Sequence, residues 1–298
     1  MSATMEHPPA STLPAFVAND YKTDLKPVWC PGCGDFGVLS SLHKAMAELQ
    51  LVPWETVVIS GIGCSSRLPG YVDTYGFNGI HGRALPLATG VKVARPELNV
   101  IAVGGDGDGF AIGGNHFMHA ARRNLDVCYL VMDNEIYGLT KGQAAPTTPT
   151  QDKTKTTPWG NPEPSVDPCE LAISVGATWV ARGFSGDPKA LAALMVQAIQ
   201  HRGFAFLNII SPCVTWRGDD QFKILKPKVR TVPADHDHTD RAAALTYTRE
   251  TEVLTTGVLY EIAQPSLLDR LRTVEEIALK GRPRPTVKDV ISTFYPAF

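Results

Sequence analysis

No apolar run in this 298-residue chain approaches the roughly 18–20 residues that a bilayer span needs, so no membrane-spanning role is expected. The amino terminus lacks the basic-then-apolar pattern of a secretion signal, and a cytoplasmic location is the default expectation. No charge of one sign dominates. Lys and Arg number 28 against 30 Asp and Glu, a formal net charge of −2, which gives no electrostatic footprint for nucleic acid. Internal repeats and low-complexity tracts are absent. Cysteine is scarce, with six residues, and in a cytosolic chain of this size they argue for metal binding or catalysis before disulfides.

What is present is centred on Gly104 to Gly142. An apolar run, Val100 to Val103, reads as a buried parallel strand and enters Gly104-Gly105-Asp106-Gly107-Asp108. Glycines there let backbone N–H groups approach an anion, and a helix N-terminus favours negative charge. The glycine spacing is not the G-x-G-x-x-G of a dinucleotide site. A second strand, Val127 to Met132, ends in Asp133-Asn134. Adjacent parallel strands would bring Asp106 and Asn134 to one carboxyl-end edge, where open α/β sheets bind ligands. A carboxylate, an amide oxygen and a backbone carbonyl are hard ligands suited to Mg²⁺. The stretch, GDG followed about 26 residues later by Asn, resembles the thiamine diphosphate motif. That resemblance implies Mg²⁺ held by Asp106, Asn134 and the Ile136 carbonyl.

The other motifs follow in chain order. Residues 1–28 are polar and Pro-dotted and read as an arm without its own core. Trp29 to Gly34 reads WCPGCG and opens a helix expected over Val38–Leu49, placing Cys30 and Cys33 where a helix dipole favours thiolates. The pair alone fits a redox dithiol, half a zinc site or half an iron–sulfur site. A strand at Val57–Ser60 leads into GIGCSSR, with Cys64 on a glycine-flanked turn, Ser65 and Ser66 free to face a cofactor, and Arg67 a candidate for an anionic substrate group or a merely solvated arginine. His81 lies between glycines in a loop. Helices are expected over Arg83–Arg95 and Asp108–Arg123. Lys141, in the YGLTKGQ loop, suits pairing with a carboxylate. Ala145 to Pro168 reads as a long loop with little structure, a lid or interface segment. Strands at Thr178–Val180 and Phe204–Ile210 flank a helix at Pro188–His201, and the second runs into SPCVTW, bringing Cys213 to a strand end. Cys128 and Cys169 read as structural. Beyond Trp216 come a basic run (Lys223, Lys226, Lys228, Arg230), an Asp-His alternation at Asp235–His238, a surface helix at Leu267–Lys280, and a tail expected to dock through Val290, Ile291, Phe294 and Tyr295.

Taken together, WCPGCG, GIGCSSR, GDGDG with DN, YGLTKGQ and SPCVTW resemble, in that order, the β subunit of 2-oxoacid:ferredoxin oxidoreductases, over about two thirds of the chain. The stretch Gly61 to Ala84 is most similar to the 2-oxoglutarate branch, with pyruvate or another 2-oxoacid as the alternative. The resemblance implies an open, mainly parallel α/β sheet with helices on both faces, in a thiamine-binding domain over 29–216, an arm over 1–28 and an extension over 217–298 that docks on a partner or on the core. It implies a [4Fe–4S] cluster on Cys30, Cys33, Cys64 and Cys213. It implies thiamine contacts from Ile62, Gly63, Cys64, Ser65, His81, Gly105, Gly107, Asp108, Gly138 and Leu139, beside the Mg²⁺ ligands, and substrate roles for Arg67, Lys141 and His81. The implied reaction decarboxylates the 2-oxoacid, sends electrons through the cluster to ferredoxin and passes the acyl group to coenzyme A. The activating glutamate would come from an α subunit, in an (αβ)₂ assembly, so this chain alone is expected to be inactive. Two other classes compete: a cluster-free thiamine decarboxylase half, and a non-catalytic, zinc-stabilised or electron-transfer subunit.

Overall fold

A computed structural model describes residues 14–250 and 252–295. Its centre is an eight-stranded sheet: β1 (Thr56–Ser60), β2 (Tyr75–Asn78), β3 (Asn99–Gly105), β4 (Val127–Asp133), β5 (Trp179–Phe184), β6 (Phe204–Ile210), β7 (Val229–Thr231) and β8 (Leu254–Glu261). The order is β2-β1-β3-β4-β6-β5-β8-β7, all neighbours parallel except β5 and β8. Every residue of β4 is buried, as expected of a strand covered on both faces.

Side chains alternate across the sheet with the period of two that a pleat imposes. Ile101, Val103, Leu130, Met132, Leu207 and Ile209 point into one core layer, beneath helices α1 (Asp35–Glu48) and α5 (Pro188–Gln200). Val100, Ala102, Tyr129, Val131, Phe204 and Phe206 point into the other, which packs on α2 (Ala84–Ala94), α3 (Gly114–Arg122), α4 (Pro168–Ser174) and α7 (Arg241–Thr248). In that layer Phe117 meets Phe206 edge-on with ring centres 5.1 Å apart, a favoured aromatic geometry. Pro at the first turn and Asp at the cap start both α4 and α5; Asp167 and Asp187 each accept a backbone N–H of their own helix.

Several expectations shift. The helix expected over Asp108–Arg123 is a π-helical turn, Gly107–Ile112, followed by α3. Such turns interrupt helices mostly where function needs the backbone displaced. Strands β2 and β8 fall in stretches for which the sequence pattern predicts no strand. From residue 14 onward the arm packs on the core: Tyr21 is fully buried, and its hydroxyl donates to the carbonyls of Leu51 (2.7 Å) and Met46 (3.1 Å). Its earlier part, 1–13, lies outside the described residues. A short helix, α6 (Gln221–Leu225), precedes β7, and past β8 come α8 (Leu267–Leu279) and α9 (Val287–Phe294). The expected docking of the tail on this chain's core does not occur: Val290, Ile291, Phe294 and Tyr295 are exposed. No helix among the described residues is long and apolar enough to cross a membrane.

Candidate active site

The four central strands end side by side. Register pairs Ser60 with Val103, Gly105 with Met132 and Asp133 with Ile210, so their carboxyl ends share one edge. Each is followed at once by a residue of interest: Gly61 to Ser65 after β1, Asp106 after β3, Asn134 after β4 and Ser211 to Cys213 after β6. This is the edge at which open α/β sheets bind ligands.

A cavity of about 400 Å³ opens there. All thirteen residues expected to touch thiamine or Mg²⁺ lie in its wall, from Ile62 through Asp106 to Leu139. Tyr137, Thr140 and Gln143 join them, unremarked in the sequence. Tyr137 covers Gly107 so closely that a β-carbon on the glycine would meet the ring at 2.2 Å.

The acids divide the work. Asp106 occupies the cap position of the π-helical turn but makes no side-chain cap bond; its Oδ2 instead accepts the Thr147 hydroxyl at 2.7 Å. Burial, and after it repulsion from Asp133, holds the Asp106 carboxyl well above the usual carboxylate range. A desolvated carboxylate of this kind gains most from a cation. Asn134 Oδ1 accepts the Ile136 N–H at 3.0 Å, which folds the ligand loop into a tight turn through Glu135, at φ +58°. Asp106, Asn134 and the Ile136 carbonyl therefore offer an all-oxygen donor set that fits Mg²⁺.

Asp108 is a structural hub. Its Oδ1 accepts the N–H groups of Ile62 (2.9 Å) and Gly82 (2.7 Å) and lies 2.8 Å from His81 Nδ1. One buried carboxylate thus ties three loops together and aims the half-exposed imidazole at the cavity. Its Oδ2 has no partner among the described residues and sits against Gly61, where a β-carbon would lie 2.1 Å away.

A second cavity, about 310 Å³, adjoins the first and is lined by Cys30, Cys33, Cys64 and Cys213, with Trp29 and Trp216 among its walls. The WCPGCG loop reaches the strand ends because Gly34 donates to the Pro212 carbonyl (3.1 Å) and Ser211 Oγ lies 2.7 Å from Asp35 Oδ1. A β-carbon on Gly34 would meet that Oγ at 2.5 Å, so only glycine allows the approach. Trp29 Nε1 donates to the Cys64 carbonyl at 2.7 Å, and Trp216 Nε1 to the Gly138 carbonyl at 3.0 Å. Burial, then the neighbouring Asp35, pushes Cys33 up and Cys64 up to about 12; burial also raises Cys213. At Cys33 burial thus opposes the charge that the helix entrance favours. Cys128 and Cys169 are buried well inside the core layers, as expected.

Four residues, Cys64, Asn134, Gly138 and Leu139, belong to both walls. The substrate candidates separate. His81 lines the thiamine-type cavity; Arg67 lines the cysteine cavity, where its charge favours the Cys64 thiolate; Lys141 is exposed and lines neither. His236 of the Asp-His alternation lies 2.7 Å from the Leu259 carbonyl through Nε2, a structural contact.

A parallel sheet covered on both faces, with an acid–amide pair at its carboxyl edge, fits the thiamine pyrophosphate enzymes, and the model for the C-terminal TPP-binding domain of that class matches residues 61–209. The model for the C-terminal region of the pyruvate ferredoxin oxidoreductase beta subunit matches residues 213–276. The 2-oxoglutarate synthase subunit KorB of Methanocaldococcus jannaschii is 38% identical over 252 residues, 84% of this chain and 93% of that one. The beta subunit of 2-oxoacid:ferredoxin oxidoreductase 2 of Aeropyrum pernix is 49% identical over 197 residues, 66% of this chain; the match spans 64% of the Aeropyrum chain, just under two thirds of its length. A solved 2-oxoglutarate:ferredoxin oxidoreductase from Magnetococcus marinus, with 2-oxoglutarate, coenzyme A and succinyl-CoA bound, superposes with a TM-score of 0.90 at 42% identity, covering 95% of this chain and 97% of that chain. The chain belongs to the family of 2-oxoacid:ferredoxin oxidoreductase β subunits.

Proposed function

We propose that this chain is the thiamine- and cluster-bearing half of a 2-oxoglutarate:ferredoxin oxidoreductase that acylates coenzyme A. The observation that carries the reading is the shared wall: one cavity suited to a Mg²⁺-diphosphate and one ringed by four thiols meet at Cys64, Asn134, Gly138 and Leu139. Electrons leaving a substrate in the first would cross one layer of side chains to reach a redox centre in the second.

Asp106, Asn134 and the Ile136 carbonyl would hold Mg²⁺, and the Gly105–Gly107 and Ile62–Ser65 turns would receive the diphosphate. Bound thiamine diphosphate would supply the electron sink for decarboxylation. His81, its Nδ1 held 2.8 Å from Asp108 Oδ1, stands in the cavity wall as the candidate to hydrogen-bond or exchange a proton with a substrate oxygen. Cys30, Cys33, Cys64 and Cys213 would hold a [4Fe–4S] cluster. Among the described residues no three His, Cys, Asp or Glu side chains converge as a site for a single metal ion; the four thiols instead stand around a cavity of about 310 Å³. Trp29, Trp216 and Val214 add apolar walls to this side. Arg67 and Lys141 stand as candidates for the substrate carboxylate or the coenzyme A path. Support for 2-oxoglutarate comes from the Methanocaldococcus and Magnetococcus relatives.

Among the described residues of the cavity wall, the carboxylates are Asp106, bonded to Thr147, and Asp108, whose Oδ1 ties loops together and whose Oδ2 is enclosed against Gly61, and we assign neither the activation of an aminopyrimidine. An α subunit supplying that acid, an (αβ)₂ assembly, and an acidic ferredoxin docking on Lys223–Arg230 complete the proposal. The test is a panel of 2-oxoacids with coenzyme A on the co-expressed, anaerobic αβ complex. The expected result is viologen reduction fastest with 2-oxoglutarate and none by the lone chain; turnover by the lone chain, or preference for a monocarboxylic acid, would overturn the corresponding part.

A further inference from the structure

The long Thr- and Pro-rich segment after Gly142 holds no strand before α4, yet its neck is among the most buried parts of the site. Thr147 is 3% exposed and Thr148 fully buried. The Thr147 hydroxyl lies 2.7 Å from Asp106 Oδ2 and 2.9 Å from Asp133 Oδ1. The Thr148 hydroxyl donates to the Glu135 carbonyl at 2.6 Å. Glu135 stands between Asn134 and Ile136, and its φ of +58° is one that a residue with a β-carbon adopts only when held.

We infer that Thr147 and Thr148 form a positioning clamp for all three ligands of the Mg²⁺ site, one hydroxyl fixing the Asp106 carboxylate and the other fixing the turn that carries Asn134 and the Ile136 carbonyl. The inference rests on the thiamine reading above. The clamp is itself braced. Thr148 Oγ1 accepts the Ala145 N–H (2.8 Å), buried Asn161 donates Nδ2–H to the Thr148 carbonyl (3.0 Å), and Ser165 donates to the Thr147 carbonyl (3.0 Å). A β-branched residue at each position stiffens χ1 and aims the hydroxyl. Arg217 adds an outer strap, reaching Glu135 (2.9 Å) and Asp152 (2.8 Å) and so joining the ligand turn to the far side of the same loop. Mg²⁺ demands near-ideal octahedral geometry, whereas Ca²⁺ tolerates irregular ligands. A clamp that sets ligand direction therefore acts on Mg²⁺ more than on Ca²⁺, which a general loss of folding would not do.

The test uses the assembled αβ complex, stripped of metal and cofactor, then titrated calorimetrically with Mg²⁺ or Ca²⁺ at saturating thiamine diphosphate. Thr147→Val should weaken Mg²⁺ about 10- to 100-fold, the usual effect of losing an outer-shell partner, and weaken Ca²⁺ less. Thr147→Ser should restore Mg²⁺ affinity to within about threefold of wild type. Thr148→Val probes the other arm independently and should lower the Mg²⁺/Ca²⁺ affinity ratio in the same direction. Unchanged Mg²⁺ affinity in both Val variants, or equal losses for the two cations with no recovery in Thr147→Ser, would overturn the clamp. A wild-type complex that binds neither cation with thiamine diphosphate would instead overturn the thiamine reading itself.

Discussion

A β-carbon placed on Gly138 would lie 3.5 Å from the Sγ of Cys64, and 3.7 Å from that of Cys213. The glycine therefore stands within a methyl group's reach of two of the four thiols, on the wall that the two cavities share. Gly138→Ala adds a methyl group at van der Waals contact, and Gly138→Val adds bulk that must intrude on the cavities it borders. Both should leave the core intact, while cluster reduction by 2-oxoacid slows by about 10-fold for Ala and up to about 100-fold for Val, as misplacement of reacting groups does. Stopped-flow absorbance on the αβ complex reads this directly; equal rates in all three proteins would mean that electrons do not cross here.

The six cysteines should fall into two classes. Ser at Cys30, Cys33, Cys64 or Cys213 should lower iron and sulfide content. Ala at Cys128 or Cys169, both buried in the core layers, should leave the iron in place and cost about 1–3 kcal/mol of stability through the cavity created. Metal analysis and denaturant titration separate the classes. Iron lost from a Cys128 variant that remains folded would break the assignment.

Asp108 should behave as a hub. Removing its carboxylate in Asp108→Ala unpairs the Ile62 N–H and the buried Gly82 N–H and frees His81. The expected cost is about 1–3 kcal/mol, the usual cost of one buried donor left unmade. A denaturant midpoint shifted by less than the error would show that these loops hold themselves.

The arm is the part whose folding the composition hid. Tyr21→Phe removes one hydroxyl that reaches two carbonyls and should cost about 1–2 kcal/mol. A neutral result by thermal or chemical denaturation would return residues 14–28 to the status of a loosely attached segment.

Acid should weaken the fold partly through His43. Burial holds this imidazole below its ordinary value, against the opposing contact with the Tyr71 carbonyl. The unfolded chain then binds more protons than the folded one below about pH 6.5, so stability present at neutral pH is lost as pH falls through that range. His43→Gln keeps a donor for Tyr71 and should flatten this part of the pH dependence. An unchanged slope between about pH 7.5 and 5.5, the range over which an imidazole titrates, would exclude His43 as a contributor.

Much of the site was legible because chemistry at a strand's end leaves short, dense signals. GDGDG, Asp133-Asn134 and the Cys-bearing turns each sit within a few residues of an apolar strand, and the parallel register does the rest. Less legible were contacts made across the chain. Thr147 and Thr148 look like any turn residues in a segment dotted with Pro and Thr; only folding puts their hydroxyls beside Asp106 and Glu135. Strand β2 has four exposed residues and no alternation to reveal it, and Gly257 breaks the apolar pattern of β8. The helix dipole argument for Cys33 leaves out burial and, after it, Asp35, whose carboxyl opposes thiolate charge. Lys141 follows the shared wall in sequence but points out of it, because the turn reverses at φ +79°. Apolar side chains of α8 and α9, among them Val274, Ile277 and Phe294, are legible as one-sided faces, yet they stand exposed among the described residues.

The most direct test of two adjoining centres is to mix anaerobic αβ complex with 2-oxoglutarate and follow the visible absorption of the iron–sulfur chromophore. The account predicts bleaching that needs both Mg²⁺ and thiamine diphosphate, while a strong chemical reductant bleaches the same protein without them. A complex that contains zinc and no iron, or a chromophore that 2-oxoglutarate cannot reduce when both cofactors are bound, would contradict it.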